Sequence, residues 1–207
     1  IGFRRSGVAW FKGRPKSDAF AVFGLLGLAS ALRFVMGPYS LLHENFHAPV
    51  LIDQLAGTAS APRPMAGLAG LNEALDILAP FSFDRLFALM VLLSALQPLL
   101  VVGIARSLGL KRRAAWLAGV WVAAAPLYLR LASSELAFVP GTTALLLGVW
   151  LALESARYRE PLLLCASAVC VSLAGHFRPV LYTCMLPVFM GTLVMLPPGE
   201  WKGWFKR

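Results

Sequence analysis

The stretch A-F-A-V-F-G-L-L-G-L-A-S-A-L-R-F-V-M-G at residues 19–37 decides the fold. Arg33 is its one charged side chain, and nearly all of the others are apolar. A helix of this length rises about 28 Å, which is enough to cross a hydrocarbon core of about 30 Å. Gly37 and Pro38 end it, because proline cannot continue a helix and disfavours the helical region just before it. The stretch predicts a membrane-spanning helix whose Arg33, in the last turn, extends towards the water.

The composition of the whole chain extends this prediction. Of the 207 residues, 58% are apolar and 14% are charged, whereas a soluble domain carries about 25% charged residues. Mean hydropathy is +0.71. We expect an all-α, polytopic transmembrane helical bundle with spans at residues 19–37, 86–105, 114–129, 136–153, 161–177 and 180–197. These six spans form a single domain over residues 1–207. Since the chain begins with Ile1 and stops just after an apolar segment, we expect it to be the N-terminal part of a longer protein.

Lys and Arg are distributed unevenly over the predicted loops. With both chain ends in the cytoplasm, the inside segments hold 14 of the 19 basic residues and the outer side holds five. Short cytoplasmic loops of membrane proteins carry such an excess. The net charge of +9 is therefore explained by topology rather than by nucleic-acid binding. The richness in Ala, Gly, Leu and Arg suggests a bacterial source, so the predicted location is a bacterial inner membrane.

The longest predicted loop, residues 38–84, lies outside the cytoplasm in this topology. We expect two amphipathic surface helices within it, Leu41–Leu55 and Met65–Leu78, separated by helix breakers at 57–64. The segment Y-S-L-L-H-E-N-F-H-A-P-V-L-I-D-Q-L at 39–55 holds two of the three histidines and two of the ten acidic residues. A charge near the hydrocarbon costs about 2.5–3.5 kcal/mol on insertion scales. A charged cluster fixed there points to function rather than to packing.

The pentapeptide His43-Glu44-Asn45-Phe46-His47 satisfies the H-E-x-x-H pattern of zinc proteases. On a helix the two histidines share one face and bind zinc, while the glutamate acts as general base. Pro49 leaves that helix little room to continue, and no third ligand stands at a convincing spacing. A membrane zinc metalloprotease is one alternative function. An interfacial helix whose polar residues face water is the structural alternative for these histidines.

A transporter or a membrane scaffold subunit is the non-enzymatic alternative. A transporter would place ionisable side chains near the middle of its spans, where substrates and coupling ions bind. The predicted spans are almost free of such side chains, which argues against transport.

Four pieces of the sequence resemble one family of membrane enzymes. They are L-H-E-N at 42–45, L-G-L-K-R-R-A-A-W-L-A-G-V-W-V-A-A-A-P at 108–126, S-S-E at 133–135 and A-G-H-F-R-P at 174–179. In order, they are similar to the first-loop acidic residue, the basic cytoplasmic turn with its small-residue helix, and two short outer loops of the membrane glycosyltransferases of the C-type fold. This family includes protein mannosyltransferases and the aminoarabinose transferases of lipid A. Many members carry an acidic pair where this chain has His-Glu-Asn, and members are longer.

The resemblance implies transfer of a sugar from a polyprenyl-phosphate donor to a glycan, lipid or protein acceptor on the extracytoplasmic face, with membrane lipids as further partners. Such a reaction needs a carboxylate that takes a proton from the attacking group, and a cation that stabilises the departing phosphate. Glu44 is then the general base or a metal ligand, and Glu135 is a second carboxylate. Mg or Mn is the expected metal, with Zn only for the protease. Arg130 and Arg178 are candidates for the phosphate, with anchoring at the interface as their alternative role. The second-rank candidates are His43, His47, Asp53 and His176.

Overall fold

Every regular element that the structure describes is a helix. The computed structural model describes residues 16–36, 66–77, 80, 82–126, 129 and 138–195. In chain order the elements are α1 Lys16–Met36, α2 Ala66–Asp76, α3 Phe83–Ser107, α4 Arg112–Ala124, α5 Phe138–Tyr158, α6 Pro161–Phe177, the 3₁₀ helix Pro179–Cys184 and α7 Met185–Met195. The all-α prediction is confirmed for this part of the chain. The predicted surface helix Leu41–Leu55 lies outside the described residues.

Three of these helices are long and apolar enough to cross a membrane. They are Ala19–Met36 in α1, Asp84–Ser107 in α3 and Phe138–Tyr158 in α5. By contrast, the 13 residues of α4 rise about 20 Å, which is less than the hydrocarbon core of about 30 Å. The helices α6 and α7 have 17 and 11 residues. The described helices thus indicate a membrane protein, with three of the six predicted spans supported by length and composition.

Small side chains line the interior of the bundle, and large apolar side chains cover its outside. The buried cluster between α1, α3 and α4 consists of Leu25, Ala29, Ala95, Val102, Ala105, Ala115 and Ala123. Large apolar side chains that are 78–85% exposed include Phe20, Val35, Trp121 and Val194. In water such side chains would be driven inside, but lipid imposes no such demand, and small residues let helices approach closely. This distribution agrees with a bundle that lies in a membrane.

The helices α5 and α6 form an antiparallel hairpin with close backbone contact. Ser167 Oγ donates a hydrogen bond to Gly148 O at 2.7 Å. A Cβ atom at Gly148 would lie 2.6 Å from Cγ2 of Val171, so a larger residue does not fit there. This is the small-residue packing by which membrane helices associate.

The helices α3 and α5 are tied together by side-chain hydrogen bonds at two places along their length. Gln97 is 2% exposed, and its Nε2 donates to Thr142 Oγ1 and Thr143 Oγ1, each at 2.9 Å. These bonds lie beside Pro98, which removes one backbone donor from α3. At the end of α3, Ser107 Oγ donates to Glu154 Oε1 of α5 at 2.5 Å. Gln97 of α3 pairs with Thr142 and Thr143 of α5, and the later Ser107 of α3 pairs with the later Glu154 of α5. The two helices therefore run parallel.

The surface helix predicted at Met65–Leu78 is present as α2. Leu71 and Leu75, one turn apart, are half-buried, whereas Glu73 is exposed. The carboxylate of Asp76 accepts a hydrogen bond from Arg85 Nη1 of α3 at 2.7 Å. This ion pair fixes the end of α2 to the beginning of α3.

Two ionisable side chains lie deeper than the sequence predicts. Arg33 is 1% exposed and donates from Nη1 to Ala29 O at 3.0 Å, so the prediction that it extends towards water is wrong. Beside it, Phe34 lies 5.8 Å from the Phe87 ring, which holds this turn against α3. Glu154 is 7% exposed, because α5 continues beyond the predicted end at residue 153.

Two helices end with a residue in the left-handed region. Gly109, with φ 85°, follows α3, and Arg159, with φ 56°, follows α5. A left-handed residue at this position is a common way for a helix to end. Glycine adopts it freely, whereas a residue with a Cβ atom is strained there. We call residues 106–113 the Gly109 turn and residues 155–161 the Arg159 turn.

Candidate functional site

Two of the predicted site residues, His176 and Arg178, lie where α6 ends. The others lie outside the described residues: Glu44, Glu135, Arg130, His43, His47 and Asp53. The candidate site is therefore built around the end of α6 and the segment that follows. We call residues 174–184 the Arg178 turn.

The segment A-G-H-F-R-P forms the last turn of α6 and the change of direction after it. Arg178 N donates to Ala174 O at 2.9 Å, and Arg178 itself is extended, with φ −144° and ψ 107°. A following proline favours an extended residue, and Pro179 then begins the 3₁₀ helix. Phe177 and Leu181 are each 8% exposed. These two buried side chains anchor the turn to the bundle.

Two glycines allow the 3₁₀ helix to pack closely against the hairpin. A Cβ atom at Gly175 would lie 2.4 Å from Cδ1 and Cε1 of Tyr182. On α5, a Cβ atom at Gly141 would lie 2.9 Å from Cδ1 of Leu181. Neither contact is possible without a shift of the neighbouring side chain, so glycine at these positions sets how near Tyr182 and Leu181 can approach.

His176 and Tyr182 form an exposed polar pair. The Tyr182 hydroxyl oxygen lies 2.8 Å from His176 Nδ1, and the ring planes are perpendicular with centroids 6.0 Å apart. The hydroxyl donates when Nδ1 carries no proton, which leaves the proton of the neutral imidazole on Nε2. In this tautomer the pair presents one imidazole N–H donor and one hydroxyl oxygen acceptor at the surface of the turn.

Arg178 is the one cation of this turn. Its guanidinium carbon lies 4.3 Å from the centroid of the Phe138 ring, and the residue is half-buried. Arginine stacked over an aromatic face is attracted by the ring quadrupole and keeps its N–H groups free at the edges of the guanidinium plane. Within the described part of the chain Arg178 forms no ion pair. Its position is fixed while its charge stays available to an anion.

The arrangement is suited to binding an anion with several oxygen atoms. Guanidinium N–H groups form paired, charge-assisted hydrogen bonds with phosphate, and an imidazole N–H adds a neutral one. The Tyr182 hydroxyl orients the imidazole through its bond to Nδ1. The turn lies where an apolar helix ends. A phosphate attached to a lipid would reach such a place, because its chain stays among the helices and the lipid.

Sequence reasoning missed three residues of this arrangement: Phe138, Gly175 and Tyr182. Phe138 stands 40 residues before Arg178 in the sequence, so no local pattern connects them. Gly175 and Tyr182 lie close to His176 in sequence. The one available signal was a glycine near the end of a helix followed by a tyrosine two turns on, which is too common to be diagnostic.

The predicted metal ligands are not part of the arrangement described above. Among the described residues, no group of three or more His, Cys, Asp or Glu side chains could hold a metal ion. Glu44 and Glu135, the expected ligands of Mg or Mn, lie outside them, as does the whole H-E-x-x-H segment at 43–47. The prediction of Mg or Mn at Glu44 and Glu135 stays a prediction, and so does that of zinc at the H-E-x-x-H segment.

Comparisons with protein-family models, with curated proteins and with solved structures found no match to this chain.

Proposed function

We propose that this chain is the membrane part of a glycosyltransferase that moves a sugar from a polyprenyl-phosphate donor to an acceptor on the extracytoplasmic face. The observation that carries the proposal is Arg178, which is half-buried over Phe138 at 4.3 Å and forms no ion pair within the described residues. The exposed pair of His176 and Tyr182 adds two hydrogen-bonding groups to the same turn. A fixed cation at the end of an apolar helix bundle suits the phosphate of a lipid carrier.

The chemistry divides between the phosphate and the acceptor. Transfer breaks the bond between the sugar C1 and the phosphate oxygen and forms a bond from C1 to the acceptor oxygen or nitrogen. The phosphate departs with the bonding electron pair, and Arg178 stabilises the negative charge that develops on it. The proton of the acceptor goes to a carboxylate, for which Glu44 is our candidate.

Glu135 is the second carboxylate of the proposal. It precedes Phe138 by three residues in the sequence. If Glu44 and Glu135 bind a divalent ion, Mg or Mn would neutralise the phosphate together with Arg178. Arg130 is the corresponding candidate for a second phosphate contact.

We keep the six-span topology with both ends in the cytoplasm as part of the proposal, and the directions of α3, α5 and α6 agree with it. Since α3 and α5 run parallel, the chain between them must return across the layer, and α4 lies on that return. The antiparallel hairpin then carries the chain back along α6 to the Arg178 turn. With the basic Gly109 and Arg159 turns in the cytoplasm, the Arg178 turn faces outward. We place the protein in a bacterial inner membrane because the chain is rich in Ala, Gly, Leu and Arg.

The proposal is tested by a transfer assay in proteoliposomes with the full-length protein and radiolabelled polyprenyl-phosphate sugars. Glu44→Gln should abolish transfer, because the amide cannot accept the acceptor proton, while the amount of folded protein is unchanged. Glu73→Gln on the exposed face of α2 is the matched control and should transfer at the wild-type rate.

Normal turnover of the Glu44→Gln variant would remove this residue from the mechanism. The same assay, run with a chelator, with added Mg or with added Mn, measures whether transfer depends on a metal. Stoichiometric zinc in the purified protein, lost in His43→Ala, would instead favour the protease.

A further inference from the structure

The Gly109 turn joins α3 to α4 in a fixed geometry. Leu110 N donates to Ala105 O and Gly109 N donates to Arg106 O, both at 3.0 Å. These two bonds form the paired closure that ends a helix with glycine in the left-handed region. Arg106 Nη1 also donates to Leu110 O at 3.0 Å, which draws its side chain across the turn.

Three cations of this turn are exposed, and none of them forms an ion pair with another described residue. Arg106, Lys111 and Arg113 are exposed. The single ion pair within the described ranges joins Asp76 to Arg85, at the opposite end of α3. No side chain caps α4 at Lys111, so its first backbone amides add to the positive potential. One carboxylate of the described chain lies at this turn, that of buried Glu154, and it accepts from Ser107 Oγ. The turn holds four Lys and Arg residues beside this one carboxylate, so its net charge is positive.

Apolar side chains stand between these cations. Leu108 and Leu110 are 54% and 42% exposed. They follow directly on the apolar segment that ends at Ser107, so the turn lies at the boundary of the membrane. Exposed leucines flanked by exposed cations match a lipid surface, where the acyl chains lie next to the headgroup phosphates.

We propose that the Gly109 turn binds the headgroup phosphate of an anionic glycerophospholipid. The leucines contact the acyl chains near the glycerol, and the three cations contact the phosphate. A soluble phosphate would use the cations but not the leucines, which is why we commit to the lipid. The positive-inside rule accounts for cations on this side of the membrane, but it does not account for exposed leucines between them. The inference is independent of the glycosyltransferase proposal.

The test uses the purified full-length protein in a neutral detergent, where its orientation has no influence. Native mass spectrometry measures how much phosphatidylglycerol and phosphatidylcholine the protein retains at low salt. We expect wild type to retain the anionic lipid preferentially. Each of Arg106→Gln, Lys111→Gln and Arg113→Gln should weaken its binding about fivefold, and 0.5 M salt should remove the preference.

Arg85→Gln is the control, because it removes one cation at the other end of α3, and it should bind phosphatidylglycerol as wild type does. The proposal is overturned if wild type retains both lipids equally, or if the single variants bind phosphatidylglycerol as wild type does. It is also overturned if soluble glycerol 1-phosphate at equal concentration displaces the lipid, because the turn would then bind the phosphate without help from the leucines.

Discussion

The Arg159 turn and the Arg178 turn, at opposite ends of the α5–α6 hairpin, both hold an arginine over an aromatic ring. At the first, Arg157 lies 5.6 Å from the ring of Tyr158, its neighbour in sequence, and both side chains are exposed. At the second, Arg178 lies 4.3 Å from the ring of Phe138, 40 residues earlier, and is half-buried. One contact is local, whereas the other joins two helices.

Both turns are closed by local backbone hydrogen bonds, but they differ in how they are anchored to the bundle. At the Arg159 turn, Glu160 N donates to Ser155 O at 3.2 Å and Ser155 Oγ donates to Glu160 O at 2.9 Å. These bonds satisfy the end of α5 within a few residues of chain. The Arg178 turn instead depends on buried Phe177 and Leu181, which pack against the hairpin. A short closed connection needs only local structure, while the Arg178 turn assembles side chains from distant parts of the sequence.

The largest expected effect comes from Gly175, which allows Tyr182 to lie against α6. Gly175→Ala places a Cβ atom 2.4 Å from the Tyr182 ring and should lower the free energy of unfolding by about 1–2 kcal/mol, after a gain of about 1 kcal/mol in helix propensity. Thermal unfolding in detergent measures this. The control is Gly191→Ala in α7, where an added Cβ atom meets nothing within 4 Å and should stabilise. Equal behaviour of the two variants would mean that Tyr182 does not pack as described.

At the Arg159 turn we expect a substitution to raise the free energy of unfolding instead of lowering it. Arg159→Gly should raise the free energy of unfolding by about 0.5–1 kcal/mol, because glycine adopts a φ of 56° without the strain of a side chain. The comparison is Gly109→Ala, which introduces that strain at a φ of 85° and should lower it by about 1 kcal/mol. Unfolding midpoints of both variants, measured in the same detergent, give the two signs. A loss of stability in Arg159→Gly would contradict the local account of this turn.

The smallest expected effect concerns the exposed hydrogen bond at the Arg178 turn. Tyr182→Phe removes the hydroxyl that lies 2.8 Å from His176 Nδ1 and should cost about 0.5 kcal/mol. Tyr158→Phe at the Arg159 turn removes a hydroxyl for which the described residues provide no partner, and it should be neutral. A double-mutant cycle of Tyr182→Phe with His176→Ala isolates the pair. A coupling energy of zero would show that the two side chains act separately.

The sequence predicted where the helices lie along the chain better than it predicted which side chains are buried. The apolar stretches of the sequence predict most of the described helices to within a few residues, because helix formation and termination are local. Arg33 and Glu154 were expected at the surface and are buried, because burial depends on which helices pack against them.

The candidate site shows the same division between local and tertiary information. Its segment, A-G-H-F-R-P, could be recognised in the sequence, but the ring under Arg178 could not. Phe138 reaches this turn only through the packing of α5 against α6, which no spacing in the sequence encodes.

The most direct test measures the rate of sugar transfer as a function of donor concentration in Arg178→Gln. The same measurement is made on Arg157→Gln, at the other end of the hairpin. Hydrogen bonds to a charged group contribute about 1.5–3 kcal/mol, so kcat/KM for the polyprenyl-phosphate sugar should fall about tenfold to a hundredfold in Arg178→Gln. Arg178→Lys should recover part of the loss, because it restores the charge without the paired N–H groups. Arg157→Gln should retain the wild-type value. An unchanged kcat/KM in folded Arg178→Gln would contradict the claim that this turn binds the lipid phosphate.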